Sequence, residues 1–264
     1  MKLVTSAGDY WQYTDSNLPD TIRHFKGGKF KNINLELPTG TPAFFSDDDN
    51  AWKTFADELV KAREEAGVNV VVAHAPCLHN PIFEALEDHN NAEYTATIRA
   101  LRRSIEVCHY MGIDRVVVHA CCCDGITKEQ FYAYNKMFYN DLLDLAEKYN
   151  IILMAENWDG KQYYFSTGAV MREFLDYMNH PLLCACWDTA HGNIDLVARE
   201  IGQYENIVAL GDKLKGLHIS DNFGDSHHHT WPFAGVINFD SIMQGLLDVN
   251  YDGYFTFEAS YTLF

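Results

Sequence analysis

Short apolar runs alternate with amphipathic stretches along the whole chain. The runs predict β-strands near residues 2–6, 32–37, 69–74, 114–119, 151–156, 182–188, 214–220 and 253–258. Between several of them, apolar positions step by three and four. Trp52, Phe55, Leu59, Ala62 and Ala66 do so, as do Tyr94, Ile98, Leu101, Ile105 and Cys108, and then Phe138, Leu142 and Leu145. That spacing lines one face of a helix. Gly67 and Gly112 follow two of these helices at positions suited to a left-handed cap, and Asn150 suits the third. Strict βα alternation over eight strands predicts a closed barrel or a large doubly wound sheet.

Six runs finish on a residue able to bind a metal or move a proton. VNVVVAH ends at His74, DRVVVHA carries His119, IILMAE ends at Glu156, LLCACWD ends at Asp188, LKGLHIS carries His218, and GYFTFE ends at Glu258. Parallel strands closed into a barrel bring their C-terminal ends to one face, where barrel enzymes carry their chemistry. A doubly wound sheet concentrates function at one switch point instead. The spread over six strands therefore selects an α/β fold of the (β/α)8 TIM barrel type. A chain of 264 residues suits one barrel of about 250 residues. No linker, low-complexity tract or internal repeat interrupts it, so a single domain over 1–264 is expected. The last run ends six residues before the final position. The eighth outer helix is thus expected to be missing, or supplied ahead of the first strand.

Side chains alternate along a strand. Tyr254 and Thr256 therefore share a face with Glu258, and Gly216 and Ser220 share one with His218. Phe255, Phe257, Leu217 and Ile219 are expected to pack outward against helices. Asn34 and Glu36 on the second strand are expected inside the barrel, as substrate contacts or as an internal hydrogen-bonded pair.

Composition narrows the partners. A hydrophobic content of 47% supports one large core, and the formal net charge is −17. Such acidity opposes binding to a phosphate backbone unless a basic patch overrides it. The nearest candidates are Arg99, Arg102 and Arg103 on one helix, and Lys213 with Lys215 before a strand. None lies in a loop after a ligand-bearing strand, so no nucleic-acid partner is expected. No run of about 18 apolar residues occurs, so no membrane span is expected. The opening MKLVTSAGDYWQY lacks the apolar core of a secretory signal. Seven cysteines are present. Cys121, Cys122 and Cys123 are consecutive, and Cys184 and Cys186 share one strand face. That is no disulfide framework, and it points to a reducing cytoplasm. The three consecutive thiols match no zinc knuckle and have no dedicated base, so oxidation-sensitive loop thiols are their plainer reading.

Glu156, Asp188, His218 and Glu258 offer three carboxylates and one imidazole. That set suits a divalent cation: Mn²⁺, Mg²⁺, Co²⁺ or Zn²⁺. For any one residue alone, a structural ion pair or a core histidine is the simpler account. Four at matching strand ends favour a site.

AENWDG, WDTAHGNID, LHISDN, HHHTWP and YDGYFTFEAS resemble signature stretches of the xylose isomerase-like barrel superfamily. That group includes sugar and sugar-phosphate isomerases and epimerases, and the endonuclease IV class of apurinic endonucleases. The resemblance runs from about Val70 to Glu258. It implies that Glu156, Asp188, His218 and Glu258 hold the metal. It also implies that Glu156 and Glu258 flank the substrate carbon and pass protons. His74 and His119 resemble histidines that bind a second zinc in the endonuclease branch, and His191 resembles a ligand of a third. His227 and His229 fall where that branch has an Asp-x-His pair, so His227 replaces an aspartate. In the sugar enzymes, histidines at these positions bind substrate hydroxyls. For all five, substrate binding and additional metal binding stay open.

The resemblance thus implies a metal-dependent isomerase or epimerase acting on a sugar, sugar phosphate or polyol derivative, with a small-molecule carbohydrate as substrate. The alternative is a multizinc phosphodiesterase acting on abasic DNA. The acidity opposes it, and NFGDSHHHTWPFAG offers no phosphate-clamping arginine. The same deficit weighs against a phosphorylated sugar. Trp11, Tyr13, Phe44, Phe45, Trp158, Tyr163, Tyr164, Phe165, Trp187 and Trp231 read as walls for a sugar ring, as a homo-oligomer contact, or as core.

Overall fold

The computed structural model describes residues 1–8, 17–48, 50–78, 91–121, 125–158 and 164–259. Its strands are β1 (Lys2–Ser6), β2 (Asn32–Glu36), β3 (Asn69–His74), β4 (Arg115–Val117), β5 (Ile152–Glu156), β6 (Leu183–Asp188), β7 (Leu214–Ile219) and β8 (Tyr254–Phe257). They run parallel and close into a barrel in sequence order. Every apolar run expected to form a strand does so. β4 is shorter than its run and stops at Val117, so His119 stands just beyond it. β8 likewise stops one residue before Glu258.

The helices among the described residues are α1 (Leu18–Arg23), α2 (Pro42–Phe45), α3 (Ala51–Ala66), α4 (Ala92–Met111), α5 (Lys128–Tyr149), α6 (Gly168–Met178), α7 (Thr189–Ile194), α8 (Leu196–Ile201), α9 (Gln203–Leu210) and α10 (Phe239–Asp248). The three stretches with helical spacing are α3, α4 and α5. Each ends where expected, on a left-handed residue: Gly67 (φ 66°), Gly112 (φ 75°) and Asn150 (φ 54°). α5 opens on a capping box in which Thr127 and Gln130 satisfy each other's backbone N–H groups. Between β6 and β7 the chain makes three short α-helices and then a 3-10 turn, Gly211–Lys213. Asp195 caps α8 by accepting from Ala198 N–H, and Gly202, at φ 101°, separates α8 from α9.

The chain divides into two compact units, Thr5–Leu153 and Met1–Val4 with Met154–Phe264. The first buries Phe44, Leu59, Ile105, Phe131 and Tyr139. The second buries Phe165, Phe174, Trp187, Ile207 and Ile242. Each such side chain contributes on the order of 1.5–3 kcal/mol when fully removed from water. Phe44, Phe165 and Trp187 are therefore core, while Phe45 and Trp231 are exposed.

Thr256 on β8 and Ser220 just beyond β7 are buried. Leu217 and Ile219 on β7 are buried as well. Phe255 and Phe257 are only half-buried and pack edge-on against each other, with ring centroids 5.4 Å apart. No described helix is long and apolar enough to cross a membrane. Cys108 and Cys186 are buried thiols outside any disulfide. Trp11, Tyr13, Cys122, Cys123 and Tyr163 lie outside the described residues.

Candidate metal centre

Glu156 ends β5, Asp188 ends β6, His218 is the next-to-last residue of β7, and Glu258 follows β8. Strand register sets Asp188 beside His218, and His218 beside Thr256. Glu156, Asp188 and His218 are buried, and the Glu258 side chain keeps 22% exposure. One ligand atom from each of the four lies within 4.8 Å of all the others. Two donors bound to one ion at about 2.0–2.6 Å stand at most about 4–5 Å apart. The spread therefore accommodates a single cation.

Polar bookkeeping in the site is incomplete without one. His218 Nδ1 lies 2.8 Å from Glu156 Oε1 and 2.8 Å from Glu258 Oε2. One N–H serves one of them: it donates to Glu156, and Glu258 Oε2 is left without a hydrogen bond. Asp188 Oδ1 accepts the His191 backbone N–H at 2.7 Å, capping α7, while the buried Oδ2 has no donor. Orphaned carboxylate oxygens are costly to bury. Three carboxylates against one imidazole leave excess negative charge, which a divalent cation neutralises. The residues present fit such an ion.

The local fields agree. Burial, opposed by His229 and reinforced by the charges of Glu156 and Glu258, pushes the Asp188 carboxyl up to about 6. Burial also raises Glu258, but the neighbouring His218 outweighs it and holds that carboxyl well below the usual range. Burial would lower His218. Cys186 and the two glutamates outweigh it and hold the imidazole well above its ordinary value.

Two residues that the sequence does not single out hold this arrangement. Asn157, next after Glu156, accepts from Asp188 N–H at 2.6 Å and donates to the Asp188 carbonyl at 3.0 Å. Its own carbonyl accepts from His191 Nδ1 at 2.9 Å. Asp221, three residues after His218, is fully buried. Its Oδ1 accepts from the N–H groups of Asn222 (2.9 Å) and Ile237 (3.0 Å), and its Oδ2 accepts from Gly235 N–H (2.9 Å). One carboxylate thus ties both ends of the loop carrying His227 and His229. The only sequence signal for either residue is a polar side chain just past a ligand, in AEN and HISD.

His191, His227 and His229 form a second group whose ligand atoms lie within 4.8 Å. His229 Nδ1 donates to the Glu258 carbonyl at 2.9 Å, and its Nε2 is 3.0 Å from His227 Nδ1. Trp158 packs against His191 and His227, at centroid separations of 4.2 and 4.8 Å. Although His227 is exposed at its surface, packing and the neighbouring His191 and His229 lower its pKa to about 4. His228 is exposed and contacts Ser226 instead.

In the Thr5–Leu153 unit, His74 Nε2 is 3.1 Å from His119 Nε2, and Cys77 Sγ is 3.7 Å from His119 Nδ1. His74 Nδ1 donates to the Ala75 carbonyl at 2.7 Å. With both rings neutral, one consistent assignment has the Cys77 thiol donating to His119 and His119 donating to His74. Glu36 accepts from Ser6 Oγ at 3.0 Å and from the amide of Asn34, so Asn34 and Glu36 are paired internally.

Residues 34–262 match the family described as xylose isomerase-like TIM barrel. The chain belongs to that family. Solved structures of similar fold include a D-tagatose 3-epimerase-like protein, with TM-score 0.77 and 20% identity, covering 98% of this chain and 91% of that one. Another is the 3-keto-D-glucoside 4-epimerase YcjR from E. coli, in its apo form, with TM-score 0.75 and 17% identity over 98% and 92%. A third is the IOLI protein with a bound zinc atom, with TM-score 0.73 and 18% identity over 98% and 89%. Within this xylose isomerase-like barrel, the four ligand-type residues come from four consecutive strands, β5 to β8.

Proposed function

We propose that this protein is a divalent-metal-dependent isomerase or epimerase of a sugar or polyol derivative. Its metal would be held by Glu156, Asp188, His218 and Glu258. The observation that carries the reading is the pair of glutamates on either side of His218 Nδ1, with bare buried oxygens on Asp188 and Glu258. When bound, the ion polarises a substrate carbonyl and steadies negative charge on its oxygen. Glu156 and Glu258 then act as a base and acid pair, one taking a proton from carbon and the other returning one. Trp158 offers an apolar face to the ring, and His191, His227 and His229 offer polar contacts to hydroxyls. The epimerase names of two solved structures of similar fold, and the zinc in a third, support the reading.

The test is turnover in deuterated water. Metal-loaded protein, offered a panel of ketoses, is expected to interconvert an epimer or isomer pair and to place deuterium on carbon. Glu156→Gln and Glu258→Gln should each slow the chemistry by roughly 10²–10⁴-fold, the usual cost of lost acid–base catalysis. Active wild type giving product with no carbon-bound deuterium would remove the proton-transfer roles.

One observation favours a second reading. His191, His227 and His229 stand close enough to hold a further ion, as a multizinc phosphodiesterase acting on abasic DNA requires.

A further inference from the structure

We propose that α4 and α5 form a binding site for a small phosphate ester, gripped by Arg99 and Arg102 beside a fixed Arg103. Tyr94, Leu101, Ile105 and Cys108 are the buried row of α4. On its less buried side two i,i+4 rows run next to each other, Ile98 with Arg102 and Glu106, and Arg99 with Arg103. Together with Leu145 of α5, these residues line a cavity of about 290 Å³. That matches the smaller ligand clefts of proteins. The lining brings three guanidinium groups against one carboxylate, on a chain whose net charge is −17. Anions are repelled by such a chain at long range, so only a local cluster of cations can hold one.

The ion pairs around the cavity are of two kinds. Arg103 is fixed: its Nη1 meets Glu106 Oε2 at 2.5 Å, both side chains are largely buried, and the guanidinium stands 5.8 Å from the centre of the Trp52 ring. Arg99 and Arg102 are held more loosely. Arg99 commits Nη1 to Asp47 and the Phe45 carbonyl, and Arg102 commits Nη1 and Nη2 to Asp144 and the Asp141 carbonyl. The Asp47 and Asp144 side chains are 91% and 63% exposed. Pairs so open to water contribute little and exchange readily. Among the described residues, Arg99 Nε and Nη2 and Arg102 Nε donate to no acceptor, which leaves them for a ligand. A single carboxylate would offer these arginines no more than Asp47 and Asp144 already do. A phosphate ester carries up to two charges on three strong acceptor oxygens, and guanidinium forks match it. Ile98 and Leu145 give its carbon part an apolar wall.

The test is a titration of the full chain with glycerol phosphate, inorganic phosphate or succinate, at an ionic strength held constant with sodium chloride. It is read from the arginine side-chain Nε–H signals and from calorimetry. Glycerol phosphate should move the Arg99 and Arg102 signals saturably and bind more tightly than succinate. Arg99→Gln and Arg102→Gln should each weaken it by roughly 10–100-fold, the usual loss for a hydrogen bond to a charged group. Asp47→Asn and Asp144→Asn break the same ion pairs but keep the cations, so they should tighten binding. If the arginines only staple helices together, both sets of variants lose stability alike and no ester binds, which would overturn the proposal. Binding that survives both arginine variants would also overturn it, since the ester would then sit elsewhere. Succinate binding as tightly as the ester would overturn the ligand class. Neither helix carries any of the four proposed metal ligands, so these readouts stand whatever the metal site does.

Discussion

Asp188 shows how one side chain serves two purposes. Its Oδ1 caps α7 through His191 N–H, and its Oδ2 stays bare beside three other ligand-type groups. Asp188→Asn keeps the shape and a capping oxygen but removes the charge. Metal content after equal loading should therefore fall, while the metal-free variant should melt no lower than wild type, because repulsion among buried carboxylates is relieved. Asp188→Ala also loses the cap, at a cost of about 1 kcal/mol. Elemental analysis showing full metal in Asp188→Asn would rule this site out. At this scale the sequence shows ligand types but not their supporters. Glu156, Asp188, His218 and Glu258 are visible because each closes an apolar run. Asn157 and Asp221 are not, because most of their partners are groups 14 to 34 residues away in sequence.

Among the elements, the connection between β7 and α10 is tied by a single group. Asp221 gathers three backbone N–H groups, and its own backbone pairs with Thr230 in both directions at 2.9 Å. Gly235 approaches so closely that a Cβ would collide with the Asn222 carbonyl and with Asp221 Oδ1. Asp221→Asn would turn an NH₂ group toward a backbone N–H. Leaving a buried group unpaired costs roughly 1–3 kcal/mol, so this variant should unfold at lower denaturant. Amide exchange over residues 224–236 should also quicken. Unchanged exchange there would show that the loop does not depend on Asp221. By contrast, α3, α4 and α5 are readable outright, since periodic apolar faces and left-handed end residues are local properties. The short helices α7, α8 and α9 are less so, because each is too brief to establish a period.

For the molecule as a whole, a charge of −17 works against any polyanion and in favour of cations. Metal-loaded protein is expected neither to bind nor to cut abasic duplex DNA at physiological salt, where affinity comes largely from Lys and Arg contacts. Incision that disappears with His229→Ala would establish the phosphodiesterase reading. A ligand present at about 100 times its Kd stabilises the folded state by about 2.7 kcal/mol. Chelation should therefore lower the melting temperature by several degrees, and Mn²⁺ or Zn²⁺ should restore it. An unmoved transition would mean that no tightly held ion contributes to the fold. The sequence by itself determined the alternation of strands and helices, the barrel it implies, and the residues at the strand ends. These follow from periodicity and end signals that neighbouring residues carry. Only the tertiary structure decided which groups meet: His218 between two glutamates, and His229 on the Glu258 carbonyl. Such contacts depend on strand register and on how distant strand ends are brought together, and neither is encoded in any local stretch.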